Sequence, residues 1–234
     1  MSTPADAASS PDAGAGGSLV LGPPSAGSHD LSRGPGRYPL LLVRHGQTEW
    51  SSDGRHTGRT DIPLTQEGEA QATALRELIA PWRVSAVRVS PLQRARRTAE
   101  LAGLGDELEL VEDPDLVEWD YGGFEGLSTP QVRERLGYEW KIFDHGVPPG
   151  RTPGELVQDV AARTAHALAR VRPLLDEGAV CLVAHGHSLR ILAATYLGLP
   201  PSAAAALELS PASLSVLGES HREPTVRQWN LRPS

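Results

Sequence analysis

Two short apolar runs, far apart in a chain of 234 residues, stop at the same dipeptide. Leu40-Leu41-Leu42-Val43 ends in Arg44-His45-Gly46, and Ala179-Val180-Cys181-Leu182-Val183-Ala184 ends in His185-Gly186. Runs this short suit buried parallel strands better than helices. An imidazole at a strand end, followed by a glycine that lets the chain turn sharply, stands where open α/β sheets hold their ligands. There it can act as a nucleophile. A neutral imidazole attacks phosphorus well, and the P–N bond it forms is labile enough for water to break. A phosphoryl dianion must first be held and neutralised, which arginine does best through its planar fork and a charge that does not titrate away. Arg44 is one candidate and Arg94, in Ser90-Pro91-Leu92-Gln93-Arg94, is a second. A leaving alkoxide also needs a proton donor. Glu118 is the strongest carboxylate because aromatics and glycines surround it in Val117-Glu118-Trp119-Asp120-Tyr121-Gly122, although Asp113 or Asp115 would serve a plain loop reading as well. Metal binding by His45, His185 and His187 with a carboxylate is the competing chemistry, but the HExxH spacing and a carboxylate-rich cluster are both missing.

These residues need a scaffold of alternating strands and helices. Thr65 to Gly68 resembles a capping box, and the helix it opens carries Ala70, Ala74, Leu75, Leu78 and Ile79 before ending at Pro81. Val84 to Val89 reads as a strand, Leu92 to Leu101 as a helix and Leu108 to Val111 as a short strand. A helix is expected near Thr129 to Leu136. A longer one is expected from Thr152-Pro153-Gly154-Glu155, with Thr as cap and Pro in the first turn, to about Asp176, where Pro173 frays it. A helix over Ser188 to Leu197 and strands at Ser213 to Leu217 and Thr225 to Leu231 complete the pattern. The expected fold class is therefore α/β, a three-layer sandwich: a mainly parallel sheet with helices on both faces and an antiparallel edge.

Composition bounds the rest. Residues 1–38 hold almost nothing large and apolar, cannot offset their ordering entropy, and read as a disordered tail ahead of one domain over 39–234. The tail lacks the basic start and apolar stretch of a signal peptide, and no run is long enough to span a membrane. With Cys181 alone in an apparent core strand, no internal disulfide can form, and a soluble cytoplasmic protein is expected. The net charge of −7 argues against nucleic acid as a partner, so an anionic substrate needs a local cluster of cations. Lys141 is the only lysine in an arginine-rich chain, so an arginine becomes informative only by position.

RHGQTEW (44–50), SPLQRARRTAE (90–100), LVEWDYGGFEG (116–126) and VAHGHSLR (183–190) resemble, in order and approximate spacing, the motifs of the histidine phosphatase superfamily, the phosphoglycerate-mutase-like proteins. The resemblance implies that His45 is the phosphorylated nucleophile and that Arg44, Arg94 and His185 complete the phosphate pocket. Glu118 would protonate the leaving group and then activate water. The loop Arg55 to Asp61 would bring Thr57 and Gly58 to the ligand, and no metal or organic cofactor is implied. The mutases of the family carry Asn where Ser51 stands here, HGNS where this chain has His185-Gly186-His187-Ser188, and an insert with paired arginines that residues 137–146 lack. The pattern is most similar to fungal sedoheptulose-1,7-bisphosphatase and actinobacterial acid phosphatases, a subgroup in which Ser90, Tyr121, His187 and Arg190 would touch substrate. That subgroup has Gly-Glu-Ser or Gly-Glu-Thr before the long helix, where this chain shows Gly150-Arg151-Thr152. The expected activity is hydrolysis of a small phosphorylated metabolite, such as a sugar (bis)phosphate. The alternatives are a mutase or a catalytically idle phospho-ligand binder. Whether the chain forms a homo-oligomer is left open.

Overall fold

The computed structural model describes residues 37–233 and Met1, so residues 2–36 of the expected tail lie outside the described residues. Arg37 and Tyr38, at the end of that expected tail, are described: Tyr38 N donates to Leu175 O at 2.9 Å and Arg37 pairs with Asp176 at 2.8 Å.

Six strands form one sheet: β1 (Leu40–Arg44), β2 (Val84–Val89), β3 (Leu110–Glu112), β4 (Ala179–Ala184), β5 (Leu214–Ser220) and β6 (Glu223–Leu231). Their order is β3-β2-β4-β1-β5-β6, parallel through the first four and antiparallel at β5 and β6. Side chains alternate across β1, as a pleated strand requires. Leu41 and Val43 join the core beneath α2 (Gln66–Ile79) and α3 (Gln93–Leu101), together with Leu75, Ala95 and Ala99. Leu40 and Leu42 face the opposite core, with Leu168 and Val171 of α6 (Val157–Val171) and Leu189 and Leu192 of α7 (Gly186–Tyr196). The expected three-layer sandwich is the observed one. A third cluster, centred on Trp119, Phe124, Trp140 and Ile191, adjoins the strand ends and takes in α4 (Thr129–Leu136) and α5 (Ile142–His145), each through one buried residue, Val132 and Ile142.

Several boundaries depart from expectation for identifiable reasons. Residues Thr152 to Glu155 do not start a helix: Gly154 has φ +76°, and the first turn forms only at Val157, with Asp159 Oδ2 accepting from Leu156 N at 2.8 Å. Gly154-Glu155-Leu156, rather than Gly150-Arg151-Thr152, therefore stands directly before the long helix. At its far end, α6 stops at Val171, and a 3-10 turn over Pro173–Asp176 replaces the frayed end. The helix after β4 starts at Gly186, two residues earlier than expected, with His185 as its N-cap. A single turn, α1 (Glu49–Ser52), follows β1 with a Thr48–Ser51 capping box that the sequence reading passed over. Among the described residues, no helix is long and apolar enough to cross a membrane.

Candidate active site

The register of β1 on β4 pairs Leu40 with Val180 and Arg44 with Ala184, and the same offset carries His45 beside His185. Their rings meet edge-on, with centroids 5.1 Å apart. Ser90 enters at the end of β2, its N–H donating to Val183 O at 3.0 Å.

His45 is almost fully buried, and its Nδ1 lies 2.7 Å from Gly46 O. A carbonyl can only accept, so Nδ1 carries the proton and Nε2 keeps its lone pair. Burial holds this imidazole well below its usual pKa, and the neighbouring charges of Arg94 and Arg44 push the same way. The ring is therefore neutral at pH 7, the form that attacks phosphorus. The turn that sets this geometry tolerates no side chain at Gly46, where a Cβ would meet Gly68 O at 2.3 Å.

His185 is held from both sides. Arg94 Nε donates to its Nδ1 at 3.2 Å, which puts the proton on Nε2, 2.7 Å from Ser90 Oγ. The rest of the Arg94 fork donates to Thr60 O (2.9 Å), Thr57 O (3.1 Å) and Gly58 O (3.0 Å). Glu125 accepts from the N–H groups of Gly58 and Thr60 in the same loop. Four predicted residues, His185, Arg94, Ser90 and Gly58, thus stand behind the site and brace it rather than line it.

In front of His45 opens a cavity of about 190 Å³, lined by Arg44, Glu118, Ser51, Thr57, Tyr121, His187 and Arg190 from the predicted set. Arg55 and His56 line it too. Arg55 lies in the loop that sequence reading had marked. His56, which the residue type alone assigns to packing or surface, is revealed only by its neighbours: its ring tilts over Tyr121 at 4.7 Å and meets Trp140 edge-on at 5.6 Å. The Tyr121 hydroxyl and His187 Nδ1 are 2.6 Å apart.

Two groups of opposite charge face this space. Arg44 donates from Nη1 to Leu209 O, while its buried Nε has no partner among the described residues. Gly186 makes room for it, since a Cβ there would come within 3.2 Å of the guanidinium carbon. Glu118 sits at the N-terminus of α7. Its Oε1 accepts from Ser188 N (2.9 Å) and Trp119 N (2.8 Å), and its Oε2 from His187 N (3.0 Å). Among the described residues, no group of three His, Cys, Asp or Glu side chains is arranged to hold a metal ion.

Four imidazoles, His45, His56, His185 and His187, are held below their usual pKa, in each case chiefly by burial, and His56 is lowered to about 4. All four are neutral in both folded and unfolded chains above about pH 6.5, where stability is complete. As pH falls below that value the unfolded chain takes up protons that the folded chain refuses, so stability is lost. For His56 alone the loss approaches about 3 kcal/mol by pH 4. The guanidinium midpoint is expected to drop steeply between pH 7 and about pH 4.5, above the range where most carboxylates titrate. The slope should be shallower in His56→Phe, and a midpoint independent of pH over this window would contradict the assignment.

The family model for the histidine phosphatase superfamily (branch 1) matches residues 40–232. An acid phosphatase of Mycobacterium tuberculosis is 37% identical over 187 residues, covering 79% of this chain and 88% of that protein. The sedoheptulose 1,7-bisphosphatase of Saccharomyces cerevisiae is 37% identical over 186 residues, 68% of this chain and 67% of the yeast protein. A probable phosphoglycerate mutase of Cronobacter sakazakii is 35% identical over 177 residues, 75% and 82% of the two chains. Among solved structures, an open reading frame product of M. tuberculosis superimposes with a TM-score of 0.76 at 34% identity, over 84% of this chain and 98% of that one. The strand-end histidines, the arginine beside the first and the carboxylate over α7 thus sit in a chain that belongs to branch 1 of the histidine phosphatase superfamily.

Proposed function

We propose that this phosphate-ester hydrolase works through a phosphohistidine on His45 and acts on a small phosphorylated metabolite, with sugar phosphates and bisphosphates as the substrate class. One observation carries the reading: a neutral imidazole with a free Nε2 faces the same cavity as Arg44, whose buried Nε has no partner among the described residues. A buried guanidinium N–H without an acceptor is costly, and a bound phosphoryl oxygen would relieve that cost. In the first step His45 Nε2 attacks phosphorus, the P–O bond to the leaving alkoxide breaks, and Glu118 hands that oxygen its proton. In the second step Glu118 takes a proton from water, whose oxygen attacks phosphorus and breaks the P–N bond. His185, aligned by Arg94 and Ser90, keeps the nucleophile's ring in place, while Arg44 holds the phosphoryl oxygens.

Substrate choice then falls to the outer wall. Arg55 and Arg190 are cations beyond the reacting centre, and Tyr121, His187, Ser51 and Thr57 offer hydroxyl and imidazole partners suited to a polyol. A free thiol buried in β4 fits the cytoplasm, where such metabolites occur.

The deciding experiment compares sedoheptulose bisphosphate, fructose bisphosphate, glycerol phosphate and 3-phosphoglycerate by kcat/KM, following inorganic phosphate and the organic product together. Free phosphate equal to alcohol released, with highest kcat/KM for a sugar phosphate, is expected. Transfer of the phosphoryl group from a bisphosphoglycerate primer to a second hydroxyl without phosphate release would make the chain a mutase, and no turnover of any ester would leave only phospho-ligand binding.

A further inference from the structure

The general acid lies on an irregular segment, and something must hold it. Residues 113–121 run from the end of β3 through a 3-10 turn (Pro114–Leu116) to the cavity wall without forming a strand or an α-helix. A loop carboxylate holds a catalytic position only if its backbone is fixed from outside. Arg170 of α6 binds the Asp113 and Asp115 side chains at the start of the segment and Thr152 the Asp120 side chain at its end, but the backbone on either side of Glu118 is fixed by one pair on and beside α6. Arg163 Nε donates to Glu155 Oε1 at 2.7 Å and its Nη2 to Glu155 Oε2 at 3.1 Å, a bidentate contact. Both side chains are largely buried, 12% and 14% exposed.

Each partner then reaches into the acid's segment. Arg163 Nη1 donates to Asp115 O at 2.8 Å and to Val117 O at 2.6 Å, on the near side of Glu118. Glu155 takes the far side: its Oε2 accepts from Asp120 N at 2.8 Å, its carbonyl accepts from Trp119 Nε1 at 2.8 Å, and its N–H donates to Asp120 O at 3.0 Å. The pair grips the chain at residues 115, 117, 119 and 120 and leaves residue 118 to its three N–H donors, that of Trp119 and those of His187 and Ser188 at the start of α7. Neither Arg163 nor Glu155 lines the cavity.

The structure assigns Arg163 and Glu155 as positioning residues for the general acid Glu118, a role that rests on the hydrolytic reading above. Their contribution is the placement of one proton, so it depends on how badly the leaving group needs it. A nitrophenolate leaves unaided, whereas an alkoxide must be protonated as the P–O bond breaks. The parameter kcat/KM reports only the steps up to departure of that group and is blind to later breakdown of the phosphohistidine.

The test uses Arg163→Lys, which keeps the charge near His185 but cannot make the bidentate contact, and Glu155→Gln, which keeps the shape but weakens the pair. Each is assayed with glycerol phosphate and with p-nitrophenyl phosphate. The expected result is a fall in kcat/KM of about tenfold or more for the alkyl ester and less than about threefold for the aryl ester. Adding Arg163→Lys to Glu118→Gln should cause no further loss with glycerol phosphate, since the proton donor is already gone. Equal losses with both esters, or none with either, would overturn the assignment. If one variant does not fold, the other carries the test alone. Failure of wild type to hydrolyse either ester would instead strike at the hydrolytic reading, so the two failures are distinguishable.

Discussion

Replacing His45 with alanine is expected to abolish turnover and covalent labelling together, with kcat/KM down by at least about 10⁴-fold on any ester. The size follows from what the ring does. It supplies the attacking atom, and the structure offers no substitute: the nearest second imidazole, His185, has one nitrogen accepting from Arg94 and the other bonded to Ser90. Water entering the space left by the ring would lie near Arg44 but would lack an aligned base in the first step. Labelling should be followed with ³²P-labelled substrate under an alkaline quench, because a phosphoramidate P–N bond survives base and breaks in acid. Since His45 is buried among core residues, His45→Asn, which fills more of the volume, is the companion variant, with thermal unfolding to show that each is folded. Normal hydrolysis by either variant would end the phosphohistidine mechanism, whatever the substrate.

What the sequence disclosed about this site follows from which physical signals are local. The apolar runs at Leu40 and Ala179 are local, so the two strands and the residues that end them were legible, and their matching endings singled out His45 and His185. The parallel pairing of the two strands sets these rings 5.1 Å apart. The position of Arg94 was also legible, but not its direction. A helix residue three past a proline can face a cavity or reach behind it, and only tertiary packing turns its fork onto the carbonyls of Thr57, Gly58 and Thr60. Thr152-Pro153-Gly154-Glu155 misled because Thr, Pro and Glu satisfy the capping pattern while Gly154 takes a left-handed conformation that ends it. Glu155 was thereby read as a helix-start residue, although it is a strut for the acid's segment. Arg163 gave no signal at all, being one arginine among many on an amphipathic helix. His56 was hidden for the same reason: an imidazole in a polar loop looks alike whether it faces solvent or a cavity.

Glu118→Gln is expected to lower kcat/KM for glycerol phosphate by about 10²- to 10⁴-fold while sparing p-nitrophenyl phosphate by comparison. The geometry also predicts how the variant protein behaves. In the native site the carboxylate faces only donors, the N–H groups of Trp119, His187 and Ser188. An amide must turn its NH₂ toward one of them. The arrangement that loses least points Oε1 at the two donors of Trp119 and Ser188 and sets NH₂ against His187 N, leaving one buried N–H unpaired at about 1–3 kcal/mol. Stability should fall by that amount, and the start of α7, which also carries His187 toward Tyr121, should loosen. Loss of activity alone would therefore not identify the acid. The ratio between the two esters does, because a loosened helix affects both while a missing proton affects only the alkoxide. Glu118→Asp supplies the complementary control: it restores a carboxyl but draws it back from α7 by one methylene, so it should recover stability less than chemistry if proton delivery dominates. A ratio of ester rates unchanged from wild type in Glu118→Gln would shift the acid to another group, and with it the reason for the Arg163–Glu155 grip on this segment.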